Sequence, residues 1–322
     1  MTIDFEPDET EQAICDALTA LCKQHCPESV ARADPGVFPT ALWSALAEFG
    51  FFALGTPEGI GGAVEIAAAG EVLGSFVAPG PLAAAVFAIQ ALPEEERGRV
   101  STGEAIVSLG APPLMPWPDH AHIFLGVSGG EVRAFNKVGE ARPAPVPGGE
   151  PWAYMELAPA NLVGSAGRAW AFRDVFLAAY LVGAADRLVR STAEYVASRR
   201  QFGRTLAQFQ AISHPLAECA IRLGGARALS RLAAHELDLA AANAPASAAT
   251  ARISAENAAL MSMYVCHQSH GAMGMTADGP VAYVSKRVRQ LVNQQGADAH
   301  GVMDIERAYL GESLPSLKVL AR

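Results

Sequence analysis

The stretch that decides the fold is Tyr195-Val196-Ala197-Ser198-Arg199-Arg200-Gln201-Phe202-Gly203-Arg204-Thr205-Leu206-Ala207-Gln208-Phe209-Gln210-Ala211-Ile212-Ser213-His214-Pro215-Leu216-Ala217. Upstream of it, Leu177, Leu181, Ala184, Leu188 and Tyr195 recur at helical spacing and mark one buried face of a long helix. Arg199 and Arg200 then fall at its end, where the negative pole of the helix favours cations; as caps alone they would simply be solvated. Downstream, Leu223, Leu229, Leu232 and Leu237 belong to a second helix. A third is expected over about 247–270, set off by Pro245, and a fourth over about 281–292. Ala178, Ala179, Gly183, Ala184 and Ala185 permit close helix contacts, so residues 161–322 are expected to form a helical bundle.

Working back towards the start, residues 1–95 are expected to be a helical domain. Helices are read over about 11–24, closed by Pro27, and about 39–49, stopped near Gly50. In the latter, Leu42, Leu46 and Phe49, with Trp43 alongside, face a core while Glu48 stays wet. The glycine-rich run from Gly55 to Gly62 lacks the Gly-Lys-Ser/Thr and the preceding strand of a phosphate loop, so it reads as a turn between helices. Helix resumes over about 64–76, and Pro79-Gly80-Pro81 ends it and begins another. Between 96 and 160 the pattern changes to short β-like runs over about 105–109, 122–127 and 131–135, the last two joined by the hairpin signal Ser128-Gly129-Gly130. Crowded prolines, among them Pro112, Pro113, Pro116, Pro118 and Pro143, restrict this domain to a few short strands and loops.

Composition excludes several classes of function. Of 322 residues, 51% are hydrophobic and 18% charged, which rules out a disordered chain. With 24 basic against 33 acidic residues the net charge of -9 supplies no broad positive field, so nucleic-acid binding is not expected. No apolar run reaches the length of a membrane span, and the acidic start lacks the basic region of a signal peptide, so the chain reads as cytoplasmic. Five scattered cysteines predict no disulfides; Cys22 and Cys26, one helical turn apart beside His25, lack a second ligand cluster and predict helix packing, not a metal site.

The stretch from Tyr195 to Ala217 resembles a motif of the acyl-CoA dehydrogenase family, in which Tyr, Arg, Gln-Phe-Gly, Leu, Phe-Gln, His and Leu-Ala recur at these spacings. Gln268-Ser269-His270-Gly271-Ala272-Met273-Gly274 is similar to the family's Gln-x-x-Gly-Gly-x-Gly segment, with Ala272 in place of the second glycine. The segments around Leu42-Trp43, Gly61-Gly62, Glu71-Val72-Leu73-Gly74 and Pro79-Gly80-Pro81-Leu82 resemble its N-terminal helical domain. The resemblance implies a mainly α fold with a small β domain: an N-terminal helical domain, a reduced middle β domain and a C-terminal four-helix bundle. It further implies flavin adenine dinucleotide (FAD), shared across a subunit interface with the ADP portion on the bundle. Carried over by position, Arg199 faces the pyrophosphate with Gln201 and Phe202 beside it, Phe209 and Gln210 lie near the adenosine, and Gln268 and Gly271 lie along the ADP. The residue types suit these tasks, since guanidinium and amide groups donate to phosphate and ribose oxygens and glycine exposes its backbone N–H.

Two departures stand out. The Thr-Glu-Pro and Gly-Ser-Asp segments that line flavin and thioester in the family are missing between 96 and 160, and Gln295 stands where the family's catalytic glutamate falls. An amide cannot accept the substrate's α-proton. Asp174 and Asp298 are the remaining candidate bases, each also readable as a surface or salt-bridged aspartate. The departures together predict a subunit that needs a longer acyl-CoA dehydrogenase partner in an α2β2 heterotetramer. The segment from Pro79 to Leu82 looks similar to shortened chains of actinobacterial complexes acting on sterol-derived CoA thioesters. The partner would carry the base, with an acyl-CoA as substrate and an electron-transfer acceptor. A non-catalytic scaffold and a self-sufficient dehydrogenase using Asp174 or Asp298 are the competing readings. His214 is expected to bond backbone or a neighbouring subunit, and Met261, Met263, Met273 and Met275 to fill core or interface gaps.

Overall fold

Asp8 opens the first helix by accepting the Glu11 N–H while the Glu11 carboxylate accepts the Asp8 N–H, a reciprocal cap at 2.8 and 2.9 Å. The computed structural model describes residues 8–32, 37–56, 59, 61–145, 150–293 and 298–310. Its first part comprises α1 (Glu9–His25), α2 (Glu28–Ala31), α3 (Thr40–Phe49), α4 (Ala63–Ser75), α5 (Leu82–Ala91) and α6 (Glu94–Ser101). In α3, Leu42, Trp43 and Leu46 are buried, Phe49 is half-buried and Glu48 is exposed, and Gly50 in the left-handed region ends the helix. Pro81 and Pro93 precede α5 and α6, where a missing N–H costs nothing.

The β part holds β1 (Val107–Leu109), β2 (Leu114–Pro116), β3 (Ile123–Ser128), β4 (Glu131–Lys137), β5 (Arg142–Pro143), β6 (Trp152–Tyr154) and β7 (Leu157–Ser165). One sheet has the order β1-β3-β4-β7 and a second the order β2-β6-β5. β3 and β4 form the expected hairpin, with Gly129 and Gly130 both at positive φ as its two-residue turn requires. The region differs from expectation at both ends. Glu94, Glu95 and Glu96 fill the first turn of α6, where acidic groups suit the positive pole, so helix continues to Ser101. At the other end β7 runs to Ser165 and tolerates Pro159 because it lies at the edge of its sheet.

The third part contains α7 (Gly167–Ser198), the ribbon strands β8 (Arg200–Gln201) and β9 (Arg204–Thr205), α8 (Gln210–Asp238), α9 (Ala244–His270), α10 (Ala282–Val292) and α11 (Asp298–Leu310). α7, at 32 residues, is about 48 Å long and is the axis against which the other long helices pack. Its small residues matter where it crosses α4. A Cβ on Gly74 would stand 2.0 Å from the Tyr180 carbonyl oxygen, and one on Gly183 would stand 2.0 Å from that of Glu71. Asp238, at the end of α8, accepts the Ala63 and Val64 N–H groups at 2.7 and 3.0 Å and so caps α4 from the bundle.

All three parts meet around Glu150. Its carboxylate accepts the Gly80 N–H at 3.0 Å and pairs with Arg287, while its backbone exchanges hydrogen bonds with the Gln290 amide at 2.8 and 3.0 Å. Arg287 also donates to the Gly80 carbonyl and the Tyr180 hydroxyl, and that hydroxyl donates to the Ala78 carbonyl at 2.9 Å. Burial pushes the Tyr180 pKa up to about 12, so it stays a donor. Gly74→Ala is expected to force α4 off α7 and lower the unfolding free energy by about 1–3 kcal/mol, read from urea titration; an unchanged midpoint would show that the crossing is not tight.

Candidate functional site

At the end of α7 the Arg199 N–H still bonds the Tyr195 carbonyl at 2.8 Å, and then the chain folds into the short β8–β9 ribbon. Its turn is Phe202-Gly203, with φ of 53° and 81°. Glycine adopts this region freely, but phenylalanine does so at a cost of order 1 kcal/mol. The turn nonetheless thrusts the Phe202 ring into solvent at 90% exposure. A large ring held out at the expense of backbone strain is the kind of outlier that collects at ligand clamps and active sites. Phe202 stands edge-on to the half-buried Phe209 with centroids 6.3 Å apart, and the Arg204 guanidinium lies 4.0 Å over the Phe209 ring. The Leu206 N–H closes the ribbon onto the Arg199 carbonyl at 2.9 Å, and Gln210 begins α8.

α9 delivers the second group of candidates to the same end of the bundle. It ends at His270, and Gly271 turns the chain at φ 56° into a 3-10 turn over 271–275. His267 Nδ1 lies 2.8 Å from the Gly274 carbonyl oxygen and fastens that turn. The His270 ring stacks on Tyr195 with centroids 4.4 Å apart and planes 16° from parallel, and its Nε2 lies 3.1 Å from Thr192 Oγ1. Burial, with a smaller contribution from His267, lowers the His270 pKa. Arg199, Gln201, Phe202, Phe209 and Gln210 on one segment and Gln268 and Gly271 on the other therefore share one end of the bundle, all exposed except the half-buried Phe209. The combination of guanidinium, amide and open glycine backbone suits phosphate and ribose, and the aromatic pair suits a planar base. The sequence reading did not assign a role to Arg204, although its place in the same run of cations signalled one.

The candidate bases fare differently. Gln295 lies outside the described residues, and Asp298 begins α11 with its side chain outside them. Asp174 is 3% exposed inside the bundle, 3.2 Å from Arg173 and 3.2 Å from Arg252, which in turn holds Glu256 at 2.6 Å. Burial raises the Asp174 pKa against the pull of Arg252 and Arg173. A carboxylate enclosed by two guanidiniums is an ion-pair partner, which is the salt-bridged reading open to Asp174 in the sequence. Arg252 was the missed signal: a lone arginine among Ala248, Ala249, Ala251 and Ala255 needs a buried anion. Among the described residues no group of His, Cys, Asp and Glu side chains is arranged to hold a metal ion. Met263 is buried, whereas Met273 and Met275 are 52% and 76% exposed beside the 3-10 turn. His214 is exposed on the first turns of α8.

Fold and site together define a mainly helical protein of three parts, helical, β and helical bundle, with a polar and aromatic face at one bundle end. Residues 8–92 match the acyl-CoA dehydrogenase N-terminal domain and residues 173–310 the acyl-CoA dehydrogenase C-terminal domain. The chain belongs to the acyl-CoA dehydrogenase family, oxidoreductases that use FAD and act on CH–CH bonds. It is 29% identical over 301 residues to acyl-CoA dehydrogenase IpdE2 of Mycobacterium tuberculosis, covering 87% of this chain and 91% of that protein. In fold it matches a chain of the ChsE4-ChsE5 complex from Mycobacterium tuberculosis with a TM-score of 0.78 and 22% identity, over 97% of this chain and 100% of the other. It also matches the Tcur3481-Tcur3483 steroid acyl-CoA dehydrogenase G363A variant with a TM-score of 0.79 and 19% identity, over 92% and 96% of the two chains.

Asp174→Asn would remove the buried carboxylate charge that Arg173 and Arg252 share. Removing one partner of a buried ion pair costs about 3–5 kcal/mol, so a marked fall in the urea midpoint is expected; an unchanged midpoint would contradict the ion-pair role.

Proposed function

We propose that the chain is a subunit of an FAD-dependent acyl-CoA dehydrogenase that introduces an α,β double bond into an acyl-CoA thioester. In this reading it supplies the ADP side of the FAD site to a longer dehydrogenase subunit, which carries the catalytic base. The observation that carries the proposal is a contrast within this one chain. The residues read as the ADP side, Arg199, Gln201, Phe202, Phe209, Gln210, Gln268 and Gly271, gather at one bundle end, all exposed except the half-buried Phe209. At the junction of its three parts the described residues Gly80, Leu109, Trp117, Phe176, Tyr180 and Arg287 bound a cavity of about 20 Å³. That volume suits one water molecule and not an acyl group.

The flavin, when bound, supplies the acceptor for hydride leaving the β-carbon. The task of this chain is to bind and orient. Arg199 supplies guanidinium donors to the pyrophosphate, Gln201 and Gln268 supply amide donors, and Gly271 leaves its backbone open to close approach. Phe202 lies beside the pyrophosphate, and Phe209, with Gln210, offers its ring towards the adenosine. Asp174, spent on Arg173 and Arg252, takes no part in proton transfer. A partner dehydrogenase chain is supported by the likeness to a chain of the ChsE4-ChsE5 complex, and a sterol-derived acyl group by the likeness to the steroid dehydrogenase; the assembly in this reading is an α2β2 heterotetramer. Five free thiols suit a reducing, cytoplasmic setting. An external electron-transfer acceptor completes turnover.

Co-expression with the longer subunit is expected to yield a yellow heteromer in which Arg199→Ala weakens FAD retention about tenfold or more, as loss of a hydrogen bond to a charged group implies. Flavin absorbance after gel filtration reads the outcome. Full FAD occupancy in that variant would remove Arg199 from the site, and a yellow, catalytically active homomer would overturn the division between two chains.

A further inference from the structure

We infer that His270 is a positioning residue that sets the Arg199–Thr205 ribbon against the glycine turn at 271–275, so that both close on the same ADP moiety. The inference rests on the ADP-side reading above. Tyr195 and Thr192 lie three residues apart on one face of the last turns of α7. Each meets the same imidazole in a different direction: the Tyr195 ring lies flat against its face at 4.4 Å, and Thr192 Oγ1 meets its edge at Nε2, 3.1 Å away. The stack fixes the plane of the ring and the hydrogen bond fixes its rotation within that plane. Both contacts are shielded, since Thr192 is fully buried and His270 is 7% exposed.

The path from this ring to the ligand face is short on both sides. The Tyr195 carbonyl accepts the Arg199 N–H at 2.8 Å and the Ser198 hydroxyl at 3.0 Å, so a shift of Tyr195 moves the base of the ribbon. On the other side His270 is bonded directly to Gly271, whose φ of 56° starts the 3-10 turn. The turn is anchored a second time by His267 on the Gly274 carbonyl. Burial also pushes the Cys266 thiol, close to Thr192, up to about 12, so that thiol stays uncharged. A purely apolar filler at position 270 would pack but would not set rotation, because nothing else in the stack has direction.

The test uses the full-length chain and ADP as the probe, with affinity measured by calorimetry and thermal stability measured alongside. His270→Phe keeps a stackable ring and removes Nε2, Thr192→Val removes the hydroxyl, and Thr192→Ser restores it. His270→Phe and Thr192→Val are each expected to weaken ADP binding about three- to tenfold, the range of one hydrogen bond, and Thr192→Ser to return it to wild type. The double variant is expected to be no weaker than the poorer single, because the two changes delete one shared contact. Amide exchange over 199–205 and 271–275 should quicken in the same variants. Variants that lose thermal stability but bind ADP like the wild type would overturn the positioning role and leave the ADP-side reading standing. A wild-type chain that binds no ADP would overturn both.

Discussion

The register of α7 against α9 is the constraint on which the rest depends. Asp174 meets Arg252 near one end and Thr192 meets His270 near the other, and both pairs are separated by 78 residues (252 − 174 and 270 − 192). An equal offset means that the two helices run parallel without slip over the 18 residues between the contacts, about 27 Å of helix. Each contact is a buried polar pair, so sliding by one turn would part Arg252 from Asp174 at one end and unpair a hydroxyl and an imidazole at the other. Running parallel, both helices release the chain at the same end of the bundle. That is why two segments some 70 residues apart, the ribbon after α7 and the glycine turn after α9, become neighbours on one surface.

A second set of constraints fixes that bundle to the other parts. The α4–α7 crossing is tight because Gly74 and Gly183 let backbone meet backbone. Asp238 ties the far end of α8 to the start of α4. Glu150, Arg287, Tyr180 and Gln290 lock the β part, the Gly80 loop and α10 together through buried hydrogen bonds and an ion pair. These contacts occupy the junction with protein. The chain thus combines a tightly tied interior with a strained and exposed rim at Phe202. Rigidity inside and an aromatic held out on the rim together suit a subunit that presents one face of a shared site.

Much of the architecture was legible because it is local. The spacing of Leu42, Leu46 and Phe49, the glycine pair after Ser128, and the long apolar stripe through Leu177, Leu181 and Leu188 each specify an element by period or turn chemistry alone. The motif from Tyr195 to Ala217 pointed to the proposed ligand face through its resemblance to the family, not through period. The β part was harder: α6 follows so soon after α5 that Pro93 is its only punctuation, and Pro159 hides β7, which only its edge position permits. What periodicity cannot carry is direction and partnership. Nothing local says that α7 and α9 are parallel, that Asp174 spends its charge on Arg252, or that Phe202 sits at positive φ with its ring in water. Each of these follows from tertiary packing, and each changed or sharpened the chemical reading of its residue.

The central claim is that this chain holds the nucleotide tail of an FAD whose reactive ring is housed by another polypeptide. The most direct measurement is photolabelling of the assembled complex with two azido-FAD analogues, one reactive at the adenine and one at the flavin ring, followed by peptide mapping. The account predicts adenine labelling on residues 199–210 and 268–275 of this chain and ring labelling on the longer subunit. Ring labelling within residues 107–165 of this chain would contradict it.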